Sequence, residues 1–215
     1  MTILFSAYLA PVQYYTKLYS SEIIVEDRGE HFIKQTYRNR CQILGTRGIE
    51  TLIVPVEHLR SQGASHTPMY DVRISDHDTS WQRRHLQALR TAYEGSPYFD
   101  YYIDDIAPLF EQPFKYLCDW NASIQQTICE LIGFLPTVRV SLDYIDAEAS
   151  HSDLRKVINP KHPLPDSDFM PQPYYQLHGH RTNFVPNLSI VDLLFNMGPE
   201  TRQVLNTSHP TSCPQ

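Results

Sequence analysis

Apolar and polar residues alternate through much of the first third of the chain, and the period lengthens to about 3.6 from residue 79 onward. Residues 2–9, TILFSAYL, predict a short strand that runs into a loop at Ala10-Pro11, with a helix over 12–19. EIIVED (22–27) predicts the next strand. FIKQTYRNRCQIL (32–44) and IETLIVPVEH (49–58) predict a hairpin, because Gly45-Thr46-Arg47-Gly48 offers glycines for the positive-φ positions of a tight turn. MYDVRISD (69–76) predicts a further strand after a Gly/Ser loop at 61–68.

In the middle of the chain, Thr79 or Ser80 caps a helix whose stripe is Trp81, His85, Leu86, Leu89 and Tyr93, ended by Gly95. Ser96-Pro97 opens a second helix, since proline is tolerated at the first helical position, with Tyr98, Phe99, Tyr102, Ile106, Leu109 and Phe110 on its apolar side. A third runs from Phe114 to Ile132, with Leu117, Trp120, Ile124, Ile128 and Leu131 inward and Gly133 as its stop. TVRVSL (137–142) predicts a strand, and 153–158 one or two helical turns. Five prolines between 159 and 173 predict an extended loop. The last helix follows Asn187 or Ser189 as cap, buries Leu188, Val191, Leu194 and Phe195, and ends at Gly198. The order of elements predicts an α/β or α+β fold, an N-terminal mixed sheet followed by a helical middle and a C-terminal helix.

Composition narrows the functional classes. A chain of 215 residues that is 41% hydrophobic and 12% aromatic suffices for one sizeable core, read as a single domain over 1–205 with a frayed tail at 206–215. No apolar run reaches the roughly 18 residues of a membrane span. The opening MTILFSAYLAPVQYY lacks a basic n-region, and Pro11 breaks its apolar run, so it reads as mature structure. Cys41, Cys118, Cys129 and Cys213 are widely spaced with no C-x-x-C, which points to reduced thiols and a cytoplasmic protein. A net charge of -6 argues against a nucleic-acid binder.

Within that acidic chain, residues 31–49 hold Lys34, Arg38, Arg40 and Arg47 and no carboxylate. On a strand, Lys34, Thr36, Arg38 and Arg40 share one face, and Tyr37, Asn39 and Cys41 the other. Such a face either binds a small anionic substrate through bidentate guanidinium contacts or is a solvated surface with ion pairs to Glu26, Glu57 and Asp71. Asp76 and His77, next to Asp78 at a strand-to-helix junction, and His85 further on are candidate acid–base residues, because imidazole titrates near working pH. The bland alternatives are a helix start and a hydrogen-bonded core histidine. His178-Gly179-His180 would set two imidazoles on one side of a strand, two ligands where a catalytic zinc takes three, so no metal and no other cofactor is expected. No phosphate-binding glycine loop or nucleophile elbow is present.

Six segments in order, AYLAPVQYY, YRNRCQI, LIVPVE, the H…AL…AY…SPYF run, DWN and PNLSIVDLLFNMGPE, resemble the WbqC-like protein family of bacteria over residues 3–205. Members are similar to proteins encoded in gene clusters for surface polysaccharides of the O-antigen type. The resemblance carries over to the Tyr8–Pro11 loop, Arg38-Asn39-Arg40, Pro55, Tyr93, the 97–99 segment, Asn121, Ser189 and Asp192. The chain departs from the family pattern at Ser6–Pro11 and in the Pro-rich 159–173. What the resemblance implies is an enzyme of surface-glycan biosynthesis, one that transfers an acyl or aminoacyl group to a nucleotide-linked amino sugar, or else a non-catalytic scaffold of that pathway. The expected substrate-binding residues are Tyr8, Lys34, Arg38, Asn39, Arg40, Tyr93 and Asp192, with Asp76, His77 and His85 as the catalytic set.

Overall fold

The structure is a computed structural model that describes residues 1–57, 67–148 and 151–210. Four strands, β1 (Thr2–Leu4), β2 (Ile24–Asp27), β5 (Val138–Ser141) and β6 (Ser152–Asp153), form a sheet ordered β5-β2-β1-β6 in which every pairing is parallel. Ile3, Leu4 and Phe5 are all fully buried. Such an unbroken apolar run marks a strand covered on both faces. Parallel neighbours need a crossover, and α1 (Val12–Ser20) supplies it between β1 and β2. β1 has β2 on one side and β6 on the other, so the strand order reverses there, and open parallel sheets bind ligands beyond the carboxyl ends of strands at such points.

A separate antiparallel hairpin joins β3 (Arg40–Gly45) to β4 (Gly48–Ile53), closed by the Gly45–Gly48 pair, with φ of 114° at Gly48 alone of the two glycines. The expected 2–9 strand ends at Leu4, where the chain turns away from the sheet and Leu9 adopts a φ of 40°. The sheets together therefore give the mixed pattern of an α/β protein.

The helical middle consists of α2 (Trp81–Tyr93), α3 (Phe99–Ile106) and α4 (Leu117–Ile132). α2 buries Trp81, His85, Leu89 and Tyr93 of its predicted stripe, leaves Leu86 half-buried and adds Ala92. α4 buries Leu117, Trp120, Ile124 and Ile128 and stops at Gly133, whose left-handed φ of 87° turns its N–H back to Cys129 and Glu130. After a short helical turn, α5 (Gly179–Thr182), come α6 (Ile190–Met197) and α7 (Thr201–Thr207). α6 is buried all round from Ile190 to Asn196 and so forms the middle of the helical layer rather than an amphipathic cover.

Several elements differ from expectation. The predicted strand over 32–44 begins only at Arg40. Residues 34–39 form turns, Gln35 takes a φ of 64°, and Thr36 Oγ bonds to the Ile33 carbonyl. Residues 69–76 form a 3₁₀ turn at Met69–Asp71 with isolated bridges Val56–Ile74 and Arg73–Tyr116, because Met69 and Val72, three apart, both face inward. α3 starts at Phe99 rather than at Pro97, which lies in the turn before it, and α4 starts at Leu117 rather than Phe114. At 153–158 the chain first adds β6 to the sheet and then makes one turn, closed by Ile158 N–H on Leu154 O. α7 extends into the expected tail, and Ser208 is buried. Of the expected loop at 61–68 only 67 and 68 are described. His58, Cys213 and tail residues 211–215 lie outside the described residues.

Candidate functional site

The loop that leaves β1 is held from three sides. Tyr8 N–H bonds to Tyr37 O at 2.9 Å. Asn121 on α4 donates through Nδ2 to Ser6 Oγ at 3.1 Å and to Arg38 O at 3.0 Å. Ser189, before α6, donates through Oγ to Leu9 O at 2.7 Å, and Ile190 N–H reaches Ala10 O at 2.9 Å. Residues 29 to 180 positions apart thus meet around one short loop that begins at the carboxyl end of β1.

Arg38 is 1% exposed. Its Nε and Nη2 donate to the two carboxylate oxygens of Glu30 at 2.8 and 2.5 Å, and its guanidinium lies over the Phe5 ring at 4.5 Å. A buried bidentate pair of this kind satisfies both charges, so Arg38 braces the 34–40 turns internally, and its partner is Glu30, none of the three carboxylates foreseen. A parallel arrangement lies beside it, where Arg155 bonds Asp27 and reaches Asp153 through Nη2 at 2.7 Å. Lys34 is exposed.

Asn39 and Arg40 are placed differently. Asn39 Nδ2 donates to Val54 O at 2.9 Å. Its Oδ1 and the Nε of Arg40 are buried with no hydrogen-bond partner among the described residues, as are Asn121 Oδ1 and Trp120 Nε1. Those four atoms belong to two consecutive pairs of residues, and Asn121 Nδ2 bonds the carbonyl of Arg38, the residue before Asn39; Ser96, Thr201 and Ser208 hold unpaired buried hydroxyls elsewhere. Burial lowers the pKa of the Arg40 guanidinium, which makes no ion pair among the described residues.

His85 lies behind the same loop. Its Nδ1 is 2.8 Å from Tyr8 Oη, the Trp81 ring meets it edge-on at 5.2 Å, and Tyr8 stacks on Trp120 at 6.3 Å. Burial, with a smaller contribution from Arg84, lowers the imidazole pKa to about 4, so the ring is neutral at pH 7. Burial raises the Tyr8 phenol well above its usual range. These groups are a hydrogen-bonded aromatic core. Asp76 and His77 are exposed in the turn before α2, which the Ser75 N–H to Pro55 O bond (3.0 Å) ties to the strand end where Ile53 pairs with Arg40.

A second polar cluster lies across the hairpin. Asp192 is fully buried, yet it accepts from Tyr93 Oη at 2.9 Å, Tyr174 Oη at 2.7 Å and Gln176 Nε2 at 3.0 Å. Burial raises its pKa, and those three donors oppose the rise. Tyr93 Oη also accepts the Leu44 N–H at 3.1 Å, so the cluster fixes β3 to α6. Tyr174 and Gln176 line an open cavity of about 460 Å³ together with Tyr175, His180 and Phe184. His178 and His180 lie at a helical turn rather than on a strand, and their rings bond the carbonyls of Ala92 and Leu177.

Sequence reasoning missed Glu30, Asp27 and Arg155, whose pairing depends on distant backbone, and Trp120, Tyr174 and Gln176. A signal for the first group was available in the acidic run Glu26-Asp27 at the end of a buried strand, since buried carboxylates require cations.

The chain matches the WbqC-like protein family over residues 6–162 and 166–204. It is similar to the uncharacterized protein Rv1507c of Mycobacterium tuberculosis (strain ATCC 25618 / H37Rv), 24% identical, with 86% of this chain and 87% of that protein covered. No solved structure matches it.

Proposed function

The chain belongs to the WbqC-like protein family, and on that premise we propose that it is an enzyme of surface-glycan biosynthesis that transfers an acyl or aminoacyl group to a nucleotide-linked amino sugar. The observation that supports this reading is that buried polar atoms of Asn39, Arg40, Trp120 and Asn121 have no hydrogen-bond partner among the described residues, while Asn121 bonds the carbonyl of Arg38, next to Asn39. Leaving a buried donor or acceptor unpaired costs about 1–3 kcal/mol, a cost that a bound polar group would relieve. Arg40 holds the phosphate or carboxylate, Asn39 orients the substrate, and Arg38 fixes the backbone that carries both. The sugar amine attacks the carbonyl carbon of an activated thioester or acyl phosphate; the C–N bond forms as the bond to the leaving group breaks, and the amine proton passes to His77 or Asp76.

Direct transfer also suits the thiols. Cys118 and Cys129 are buried with pKa values pushed up to about 12, and burial raises Cys41 as well, so none is a primed nucleophile. Purified protein incubated with a panel of nucleotide-amino sugars and acyl donors should yield a product heavier by the acyl mass, and Arg40→Ala should not. An unchanged mass across a broad panel counts against the enzyme.

The internal engagement of Arg38 favours a second reading, a non-catalytic scaffold of the same pathway. In that case Arg40→Ala should abolish capture of a pathway partner and leave small-molecule binding unaffected.

A further inference from the structure

We infer that the crevice between α4 and the β2–β5 edge of the sheet binds a free α-amino acid with an apolar side chain. The crevice has a volume of about 310 Å³, within the range of small-molecule pockets, and runs along β5 from Leu135 and Pro136, which precede the strand, to Val140, beside Glu26 of β2 and Arg28 just after it. Its floor carries Glu26 and Arg28, a carboxylate and a guanidinium two residues apart. Its walls are Ala122, Val138, Val140 and Leu135, with Leu135 76% and Val140 50% exposed.

The chemistry of the floor selects a zwitterion. Arg28 commits only its Nε to Glu26, donating to Oε1 at 2.5 Å, while its Nη1 lies 3.8 Å from the largely exposed Asp119. The planar fork of Arg28 therefore keeps terminal N–H groups for a ligand carboxylate. Glu26 is 3% exposed and among the described residues has one side-chain hydrogen bond, from Arg28 to its Oε1, which leaves Oε2 for an ammonium group. Burial raises the Glu26 pKa and Arg28 opposes the rise, so a second cation beside the carboxylate is favourable. A ligand whose two charged groups flank a single carbon completes an alternating set of four, and an apolar side chain lies against Val138, Val140 and Leu135. An amine or an acid alone meets one partner and leaves the other. Cys129 lines the same crevice, but its thiol is held protonated, so the association is non-covalent. The site shares no residue with the Arg40 region, and the inference stands whether or not transfer is observed.

The test is isothermal titration of the full-length protein with L-leucine, glycine, leucinamide and 4-methylpentanoate. Leucine should bind saturably, and each of the other three at least tenfold more weakly. Glu26→Gln should bring leucine down to the level of 4-methylpentanoate. Ala122→Phe, which fills the crevice and leaves both charges in place, should abolish binding in a protein whose circular dichroism is unchanged. The inference is overturned by the absence of saturable leucine binding, by equal binding of the single-charge analogues, or by undiminished binding to folded Ala122→Phe.

Discussion

Tyr8 Oη lies 2.8 Å from His85 Nδ1, and the two residues are 77 positions apart in the chain. The bond joins the loop after β1 to the buried face of α2, inside a cage of Trp81 and Trp120. Because the cage excludes water, the imidazole pKa falls from 6.5 to about 4. The folded state thus binds fewer protons than the unfolded chain between those values.

That difference sets a pH dependence. The contribution of His85 to stability is full above pH 6.5 and declines as pH falls toward 4, by up to about 3 kcal/mol. Urea midpoints measured from pH 7 to 4.5 should fall, and the fall should be shallower in His85→Gln. An equal slope in both proteins would assign the acid sensitivity to other groups.

Arg38 and Glu30 should be strongly coupled in stability. Arg38→Ala leaves Glu30 buried without its cation and should cost about 3–5 kcal/mol in chemical denaturation. Arg38→Met combined with Glu30→Leu should recover most of that loss, because an apolar pair of similar volume leaves no charge unpaired. A double-mutant cycle with no coupling would contradict the pairing.

Arg40 should behave in the opposite way. Its Nε is a buried donor with no partner among the described residues, so Arg40→Met should keep or raise the melting temperature while removing binding of nucleotide sugars. Thermal denaturation with and without ligand reads both effects at once, since binding stabilises the folded state only where it occurs.

Two glycines of equal appearance in the sequence should differ sharply. A Cβ at Gly29 would meet the Asp143 carbonyl carbon at 2.3 Å and the Tyr144 nitrogen at 2.4 Å, both backbone atoms, whereas at Gly45 the nearest atom is a Glu50 side-chain oxygen at 3.4 Å. Gly29→Ala should therefore cost at least about 2 kcal/mol, and Gly45→Ala less than about 1 kcal/mol. Comparable denaturation midpoints for the two variants would refute the close approach at Gly29.

The legibility of the fold followed the length of each periodic run. α2 and α4 carry their stripes over 13 and 16 residues, and the residues read as inward from Trp81 to Tyr93 and from Leu117 to Ile128 are mostly the buried ones. β6 has two residues, too few for any period, and it exists because Leu154 N–H reaches Ile3 O across the sheet. The basic stretch shows the same limit for the site. Alternation assumed a strand from 32 to 44, but the Glu30–Arg38 pair and the left-handed Gln35 bend the chain into turns, so Arg38 is internal while Arg40 keeps a free charge. The Tyr93–Asp192 and Tyr8–His85 bonds join residues the sequence singled out individually, and only tertiary contact reveals them as pairs.

The sheet order also sets a timetable. Of the four strands of this sheet β1 is synthesised first, but its second neighbour, Ser152–Asp153, follows about 150 residues later. At about 5–20 residues per second the interval between them is roughly 8–30 s. β1 and β2 can dock through α1 within the first few seconds, and their pair then presents two unpaired edges until β5 and β6 emerge. Nascent chains halted near residue 130 should accordingly be the aggregation-prone species, and a holdase that shields those edges should raise the yield of folded protein.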